Sequence, residues 1–165
     1  MDRNREKQYL RKAIMAYAED NQIAGENMDT LIKFLETSID GYIFEGNLEL
    51  LNECLVELVR EKQLLMKIRK GRFMHLIKAE ENKEPTEGQP VTPEQSLVLF
   101  FKADRHLCTR RVMGDDLTAF LHFMVERSGH SEEITAAALT EVIRQGRAHV
   151  EIYQDPKTLT IVCDW

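Results

Sequence analysis

The feature that most constrains the fold of this chain is a long amphipathic segment before its midpoint. Leucines recur there at steps of three, four and seven residues, at Leu48, Leu51, Leu55, Leu58 and Leu65. Side chains at this spacing share one face of an α-helix, so the segment predicts a helix with a buried face. Asn47 is suited to cap its start, because the side-chain oxygen accepts a free N–H of the first turn. Gly71 is the predicted end, because glycine tolerates the left-handed conformation that ends many helices.

A second face of the same helix is acidic. Four glutamates at four-residue steps form an acidic stripe, namely Glu49, Glu53, Glu57 and Glu61. Like charges at this spacing repel each other by a few tenths of a kcal/mol per pair. The pattern is typical of a solvated helix face, and it alternatively predicts a docking surface for a basic partner.

The segment after Gly71 is short and apolar. Residues 72–77 (RFMHLI) predict a strand, and a continued helix is the alternative. The sequence IRKGR at 68–72 is echoed by IRQGR at 143–147, an offset of 75 residues. One interpretation is a duplicated helix–strand module. The other is chance, because a basic last turn and a capping glycine are common helix endings.

Composition limits the class of protein. A length of 165 residues with 43% hydrophobic residues suits one domain or two small ones with a real core. The net charge of −6 is spread evenly, with −2 in each of the ranges 1–81, 82–95 and 96–165. No range is basic, so we expect no broad electrostatic attraction to nucleic acid.

The cysteines and the apolar runs indicate the compartment. The sequence has three cysteines, an odd number, at the widely separated positions Cys54, Cys108 and Cys163. This pattern argues against a disulfide framework and for a reducing compartment. No apolar run is long enough to span a bilayer, and the first residues show no signal peptide. We therefore expect a cytoplasmic protein that does not bind membranes.

The order of predicted elements gives an α+β, mostly helical chain. The first unit, 1–81, holds three helices, and Tyr42 and Phe44 are predicted core residues between the second and third. Range 82–95 has three of the four prolines and predicts a linker. A helix is predicted to start at Pro93, at the end of the linker, and to run into the second unit, 96–165. The rest of that unit is predicted to hold a strand at 108–113, helices from Gly114 and Ser131, and a β-hairpin that turns at 155–156. Within it, 97–101 is predicted to be helical, and a buried strand is the alternative.

This order of helix, short strand, helix, tight turn, helix and hairpin resembles that of winged-helix domains. The resemblance covers 93–163 throughout. The first unit resembles the pattern less, because it has one candidate strand and no clear second wing strand. The likeness rests on element order, not on a sequence motif. It implies tandem winged-helix units, an arrangement found in nucleic-acid binders and in bridging subunits of chromosome-organising complexes.

Charge favours one of these two functions. In DNA-binding winged helices the third helix enters the major groove, surrounded by groups that contact phosphates. Here the helix in that position begins Ser131-Glu132-Glu133, and its counterpart carries the acidic stripe, which repels phosphates. We therefore predict a non-enzymatic protein-interaction or adaptor subunit that binds another protein or a second copy through helix faces. The alternative is a nucleic-acid-binding regulator of transcription or replication that uses basic residues at Lys67, Arg69, Lys70, Arg72, Arg110, Arg111, Arg144 and Arg147.

No catalytic or cofactor motif is present in the sequence. Asp104, His106 and Cys108 would share one side of a strand, but no second Cys or His pair stands at zinc-finger spacing. A glycine-rich phosphate-binding loop is also absent. We therefore predict no metal, no cofactor and no enzymatic activity.

Overall fold

The computed structural model describes residues 2–37, 41–68, 74–79, 132–154 and 157–163. About half of these residues are helical and the others include two small antiparallel sheets, so the fold class is α+β. The predicted linker at 82–95, the helix from Pro93, the alternatives for 97–101, the strand at 108–113 and the helix from Gly114 lie outside the described residues.

The N-terminal half contains helices and a three-stranded sheet. Its elements are α1 (Arg3–Asp20), β1 (Ile23–Ala24), α2 (Asp29–Leu35), α3 (Leu48–Arg60), β2 (Leu64–Ile68) and β3 (Met74–Lys78). The strands are antiparallel in the order β1-β3-β2, with Leu76 of β3 opposite both Ile23 and Met66. The first unit therefore has three strands where the sequence predicted one.

The first helix and the core residues near α3 follow the sequence pattern. Asp2 caps α1 by accepting a hydrogen bond from the Asn4 amide at 3.2 Å, and a buried face of leucine, alanine, isoleucine and tyrosine follows. Tyr42 and Phe44 are buried, as predicted. The sequence did not predict β1, because a strand of two residues is too short to show a periodic pattern.

The predicted end of the third helix is wrong. Asn47 caps α3, since its side chain accepts from the Leu50 amide at 3.1 Å, but the helix ends at Arg60 and not at Gly71. Lys62 takes the left-handed conformation there, with φ of 64°. Leu64 and Leu65 continue the helical spacing in sequence but belong to β2, since short apolar runs are compatible with either structure.

The described part of the C-terminal half consists of one helix and one hairpin. Its elements are α4 (Glu132–Arg144), β4 (Ala148–Gln154) and β5 (Lys157–Cys163). The predicted hairpin is confirmed, with Val150 of β4 opposite Ile161 of β5 and both side chains buried. The apolar core is continuous, because Leu139, Val142 and Ile161 belong to the same cluster of buried residues as Leu10 and Leu51.

The junctions between α3 and β2 and between α4 and β4 have the same backbone structure. Lys62 has a φ of 64° and Gly146 a φ of 78°. The Lys62 amide donates to Val59 at 3.1 Å, and the Gly146 amide donates to Ile143 at 3.0 Å. α4 ends 84 residues after α3 (144 against 60), and β4 starts 84 residues after β2 (148 against 64). The repeat offset is therefore 84, not the predicted 75, which relied on Gly71 as a helix end.

These two left-handed positions lead to opposite expectations for substitution. A Cβ at Gly146 would meet no atom within 4 Å, so Gly146→Ala changes the backbone energy alone. We expect a loss of about 1–2 kcal/mol of unfolding free energy, the cost of the left-handed conformation for a residue with a Cβ. Lys62→Gly relieves the same backbone strain, but the glycine also increases the conformational entropy of the unfolded chain. We expect the free energy of unfolding to rise by about 0.5 kcal/mol as the balance of these two effects. Urea unfolding measures the free energy of unfolding of both variants. A change of the same sign in the two variants would contradict the left-handed conformation of Lys62 and Gly146.

Candidate functional site

Arg60 and Arg144, at the ends of α3 and α4, join the two halves. Arg60 Nε donates to the Ile143 carbonyl at 3.0 Å, and its Nη2 donates to the Ala148 carbonyl at 3.4 Å. One acceptor is in the last turn of α4, and the other is the first residue of β4. The end of α3 is therefore bonded to the helix–strand junction of the C-terminal half.

Arg144 makes the corresponding contacts in the opposite direction. Its Nε donates to the Val59 carbonyl at 2.9 Å and its Nη2 donates to the Leu64 carbonyl at 3.5 Å. At the offset of 84, Val59 corresponds to Ile143 and Leu64 to Ala148. The exchange is therefore reciprocal, as in a twofold-symmetric pair. A cation at the end of a helix is also favoured by the partial negative charge of the last carbonyls.

Strand edges on both sides of this junction are bonded by side chains of the other half. The Met66 amide of β2 donates to Thr140 Oγ1 of α4 at 2.9 Å. The Ile152 amide of β4 donates to Asn52 Oδ1 of α3 at 2.8 Å. An uncovered strand edge is a template for unwanted pairing, and these contacts cover part of each edge.

The hairpin contacts the N-terminal half a second time through β5. The Met28 amide donates to the Lys157 carbonyl at 2.9 Å, and the Leu159 amide donates to the Gly25 carbonyl at 2.7 Å. Lys157 Nζ also lies 3.6 Å from Asp29 Oδ1. The segment 25–28 therefore bonds to β5 much as a further strand does.

Three members of the acidic stripe pair with basic residues of α1. Glu53 pairs with Arg3 and with Lys7, whose Nζ is 3.4 Å from Glu53 Oε1. Glu57 pairs with Lys7 and with Arg11, whose Nη1 is 3.5 Å from Glu57 Oε1. Arg11 also contacts the last carboxylate, Glu61. We call this set of contacts the ion-pair ladder.

Glu49 lies one step beyond the ion-pair ladder. The cations of the ladder stand at four-residue steps on α1, and α1 begins at Arg3, which pairs with Glu53. Glu49 is exposed and has no ion pair among the residues that the structure describes. The acidic stripe predicted from the sequence is therefore divided into three paired carboxylates and one exposed carboxylate.

The ladder changes the protonation of its members. Burial alone would raise the pKa of Glu53, but the hydrogen bond from Arg3 and the charges of Lys7 and Arg3 outweigh burial and lower this pKa below its ordinary 4.5. The hydrogen bond from Lys7 to Glu57 outweighs burial and, with the charges of Glu57 and Glu53, raises the Lys7 pKa above its ordinary 10.5. Both shifts favour the charged forms.

A groove of about 580 Å³ lies between α3 and β4. Carboxylates from both elements line it, at Glu49, Glu53, Glu57 and Glu151. Arg3 and Arg60 are the cations of its lining, and His149 Nε2 lies 3.1 Å from Glu151 Oε1. The volume is within the range of sites that bind small ligands or parts of larger ones.

The basic residues predicted as the alternative, nucleic-acid-binding set are spread over different environments. The Arg144 side chain is 5% exposed and bonded to the N-terminal half, whereas Arg147 is exposed. Lys67 is half-buried in β2. The others, Arg69, Lys70, Arg72, Arg110 and Arg111, lie outside the described residues, and their role stays a prediction.

Catalytic and metal chemistry has few candidates in the part of the chain that the structure describes. No group of three or more His, Cys, Asp or Glu side chains there is arranged to hold a metal ion. Burial raises the pKa of the Cys54 thiol to about 12, so it stays protonated at neutral pH. Asp104, His106 and Cys108 lie outside the described residues. None of the described helices has both the length and the apolar character to cross a bilayer.

Comparison with known proteins gives no relative for this chain. No protein-family model, no curated protein and no solved structure matches it.

The sequence pattern missed Arg60. The pattern identified Arg144 because it lies at a basic helix end. Arg60 was not identified, because it lay in the interior of a helix predicted to run to residue 70. The signal that identifies both is an arginine four residues before the start of a strand, repeated at an offset of 84.

We expect the buried arginine to contribute strongly to stability. Arg144→Met removes the hydrogen bonds that the charged guanidinium donates to the Val59 and Leu64 carbonyls. Each such bond contributes about 1.5–3 kcal/mol, and water replaces part of this contribution in the variant. The expected loss is about 2–4 kcal/mol in urea unfolding. Arg147→Met is the matched control, because Arg147 is exposed, and it should change stability by no more than about 0.5 kcal/mol. Equal losses would refute the reciprocal junction.

The ion-pair ladder predicts a pH window for stability. Because the Glu53 pKa is lowered, the contribution of Glu53 to the free energy of unfolding is fully present above pH 4.5. This contribution is lost as the pH falls through the lowered pKa. Because the Lys7 pKa is raised, the contribution of Lys7 to the free energy of unfolding is fully present below pH 10.5. This contribution is lost as the pH rises through the raised pKa. Glu53→Gln should cost about 0.2–1 kcal/mol at pH 7, and nothing near pH 2 or in about 1 M salt.

The control for this measurement is Glu45→Gln. Glu45 is exposed and lies outside the ladder, so its substitution should leave unfolding unchanged at pH 7 and below. A Glu53→Gln penalty that persists at low pH would show that packing, and not charge, is responsible.

Proposed function

We propose that this chain is a cytoplasmic, non-enzymatic adaptor subunit that binds another protein through helix faces, and that its two halves are tandem winged-helix units. The order α1, β1, α2, α3, β2, β3 supports this resemblance, because β2 and β3 supply the paired strands expected after the third helix. α4 and the β4–β5 hairpin repeat the last part of that order with the same backbone junction.

The observation that carries the proposal is that α3 and α4 are bonded to each other's halves. A third helix that reads DNA needs an open face to enter the major groove. On α3, Asn52 bonds to β4, Val56 is 8% exposed and Arg60 bonds to the end of α4. This face is partly occupied by the protein itself, which disfavours entry into a groove.

The charges on the remaining surface point the same way. The part of α3 that lines the groove carries Glu53 and Glu57, which are paired with α1, and Glu49, which has no ion pair among the described residues. Carboxylates facing a duplex repel phosphates and give up the affinity that comes from counterion release. A polypeptide with basic side chains has no such penalty, so protein binding is the function that this surface supports best.

Titration against duplex DNA tests the proposal against its alternative. We expect binding no tighter than the nonspecific range, about 1–100 µM near physiological salt, and little difference between the wild-type chain and Arg147→Ala. Sub-micromolar binding with a steep salt dependence that is lost in Arg147→Ala would instead establish a nucleic-acid-binding regulator. Arg147 is the appropriate residue to change, because it is exposed while Arg144 is not.

A positive test uses a purified partner. Proteins captured from cytosol are identified, purified and titrated against the chain, and we expect saturable binding of at least one of them. If no captured protein binds once purified, the adaptor proposal fails.

A further inference from the structure

We propose that the contact between α3 and β4 is a conformational device, a point at which the fold opens locally at Val56 and Val150 while the rest of the core stays closed. The opening enlarges the groove between α3 and β4 without any partner, so it goes beyond the proposed adaptor function and does not depend on it. Two observations support it, namely a buried strand amide that lacks a hydrogen bond and the contrast with the equivalent contact between α4 and β2.

The register of the hairpin shows which way the Val150 amide points. In an antiparallel pair, the backbone groups of alternate residues face away from the paired strand. The Ile152 amide donates to Asn52 of α3 at 2.8 Å, and the Ala148 carbonyl accepts from Arg60 of α3 at 3.4 Å, so both face α3. Val150 lies midway between them on β4 and has the same orientation. Its amide therefore points from β4 toward α3, at the wall of the groove.

This amide is buried and makes no hydrogen bond with any residue that the structure describes. Val150 is 0% exposed. Val56 of α3 also lines the groove, but a valine side chain has no hydrogen-bonding group. A donor that leaves water without gaining a partner raises the free energy of the closed state. Local opening lets water reach the amide and removes this cost.

The equivalent contact, between α4 and β2, is complete. At the offset of 84, Met66 of β2 corresponds to Val150, and Thr140 of α4 corresponds to Val56. The Met66 amide donates to Thr140 Oγ1 at 2.9 Å, and this hydroxyl donates to the Ala136 carbonyl one turn earlier at 2.9 Å. Opening at Met66 breaks a hydrogen bond, whereas the Val150 amide has none to lose. The contact between α3 and β4 is therefore the one that opens first.

Contacts on both sides of Val150 limit the extent of the opening. Asn52 binds Ile152, two residues after Val150, and Arg60 binds Ala148, two residues before it. Space for the movement is already present, because the groove of about 580 Å³ adjoins Val150. A small separation of α3 from β4 is therefore enough to hydrate the amide, and the groove is larger in the open state. A pocket that grows in a minor state is held open by any ligand that fits only the larger form.

Native-state hydrogen exchange of the full-length chain, followed by NMR for each amide, tests this opening. Because exchange reports local opening, we expect the Val150 amide to be protected at least about tenfold less than the Met66 amide. Val56→Thr places a hydroxyl where Thr140 has one, and the Asn52 carbonyl one turn earlier is its acceptor. We expect this variant to raise the protection of Val150 about fivefold, the effect of one net hydrogen bond, and to raise the urea midpoint of unfolding.

Two further variants serve as controls. Val59→Thr makes the same substitution at a fully buried residue of α3 that does not line the groove, so we expect the protection of Val150 to stay the same or to fall. Thr140→Val removes the hydroxyl from the equivalent contact. We expect the protection of Met66 to fall about tenfold in that variant, toward the protection of Val150, because its amide is then buried without a partner.

Three results would overturn the inference. The first is protection of Val150 equal to or greater than that of Met66 in the wild-type chain. The second is a Val56→Thr variant that is unfolded, or one in which the protection of Val150 does not rise, since the added hydroxyl then meets no free donor. The third is a crystal structure with an ordered water bonded to the Val150 amide, because the amide then has a partner in the closed state.

Discussion

The structure depends on how the carbonyls at the ends of α3 and α4 are bonded. The last carbonyls of a helix have no partner within that helix. Here each end receives a guanidinium from the other helix, Arg60 in one direction and Arg144 in the other. A guanidinium remains charged and offers several donors in a fixed plane, so one side chain bonds both a helix end and the strand that follows it. The two halves share their core around this exchange.

The sequence predicted elements that have a long local pattern. The three helices of the first unit, the cap of α3 at Asn47 and the C-terminal hairpin were all found in the structure. The end of α3 was wrong because Leu64 and Leu65 keep a helical spacing, while pairing with β3 decides their structure. Lys62 gave no signal for a helix end, since lysine has no preference for the left-handed conformation.

The candidate site was only partly accessible to sequence reasoning. Four-residue spacing identified the acidic stripe, but it held no information about which element would pack beside α3. The ladder joins residues 46 and 50 positions apart, and the arginine exchange joins residues 80 to 88 positions apart. Such contacts follow from the packing of α1 and α4 against α3, and periodicity along one helix does not report them. The acidic face consequently has two parts, one neutralised by α1 and one open toward the groove.

The bonds between 25–28 and β5 have a consequence for how the protein is made. The Leu159 amide and the Gly25 carbonyl are 134 positions apart in the chain (159 against 25), so all the residues between them must leave the ribosome before they meet. Contacts between such distant residues form slowly, because a long loop must first be closed. Until then the nascent N-terminal half keeps the Met28 amide and the Gly25 carbonyl without the partners that β5 later supplies. Synthesis of β5 is thus the step that supplies these two groups of the first half with their partners.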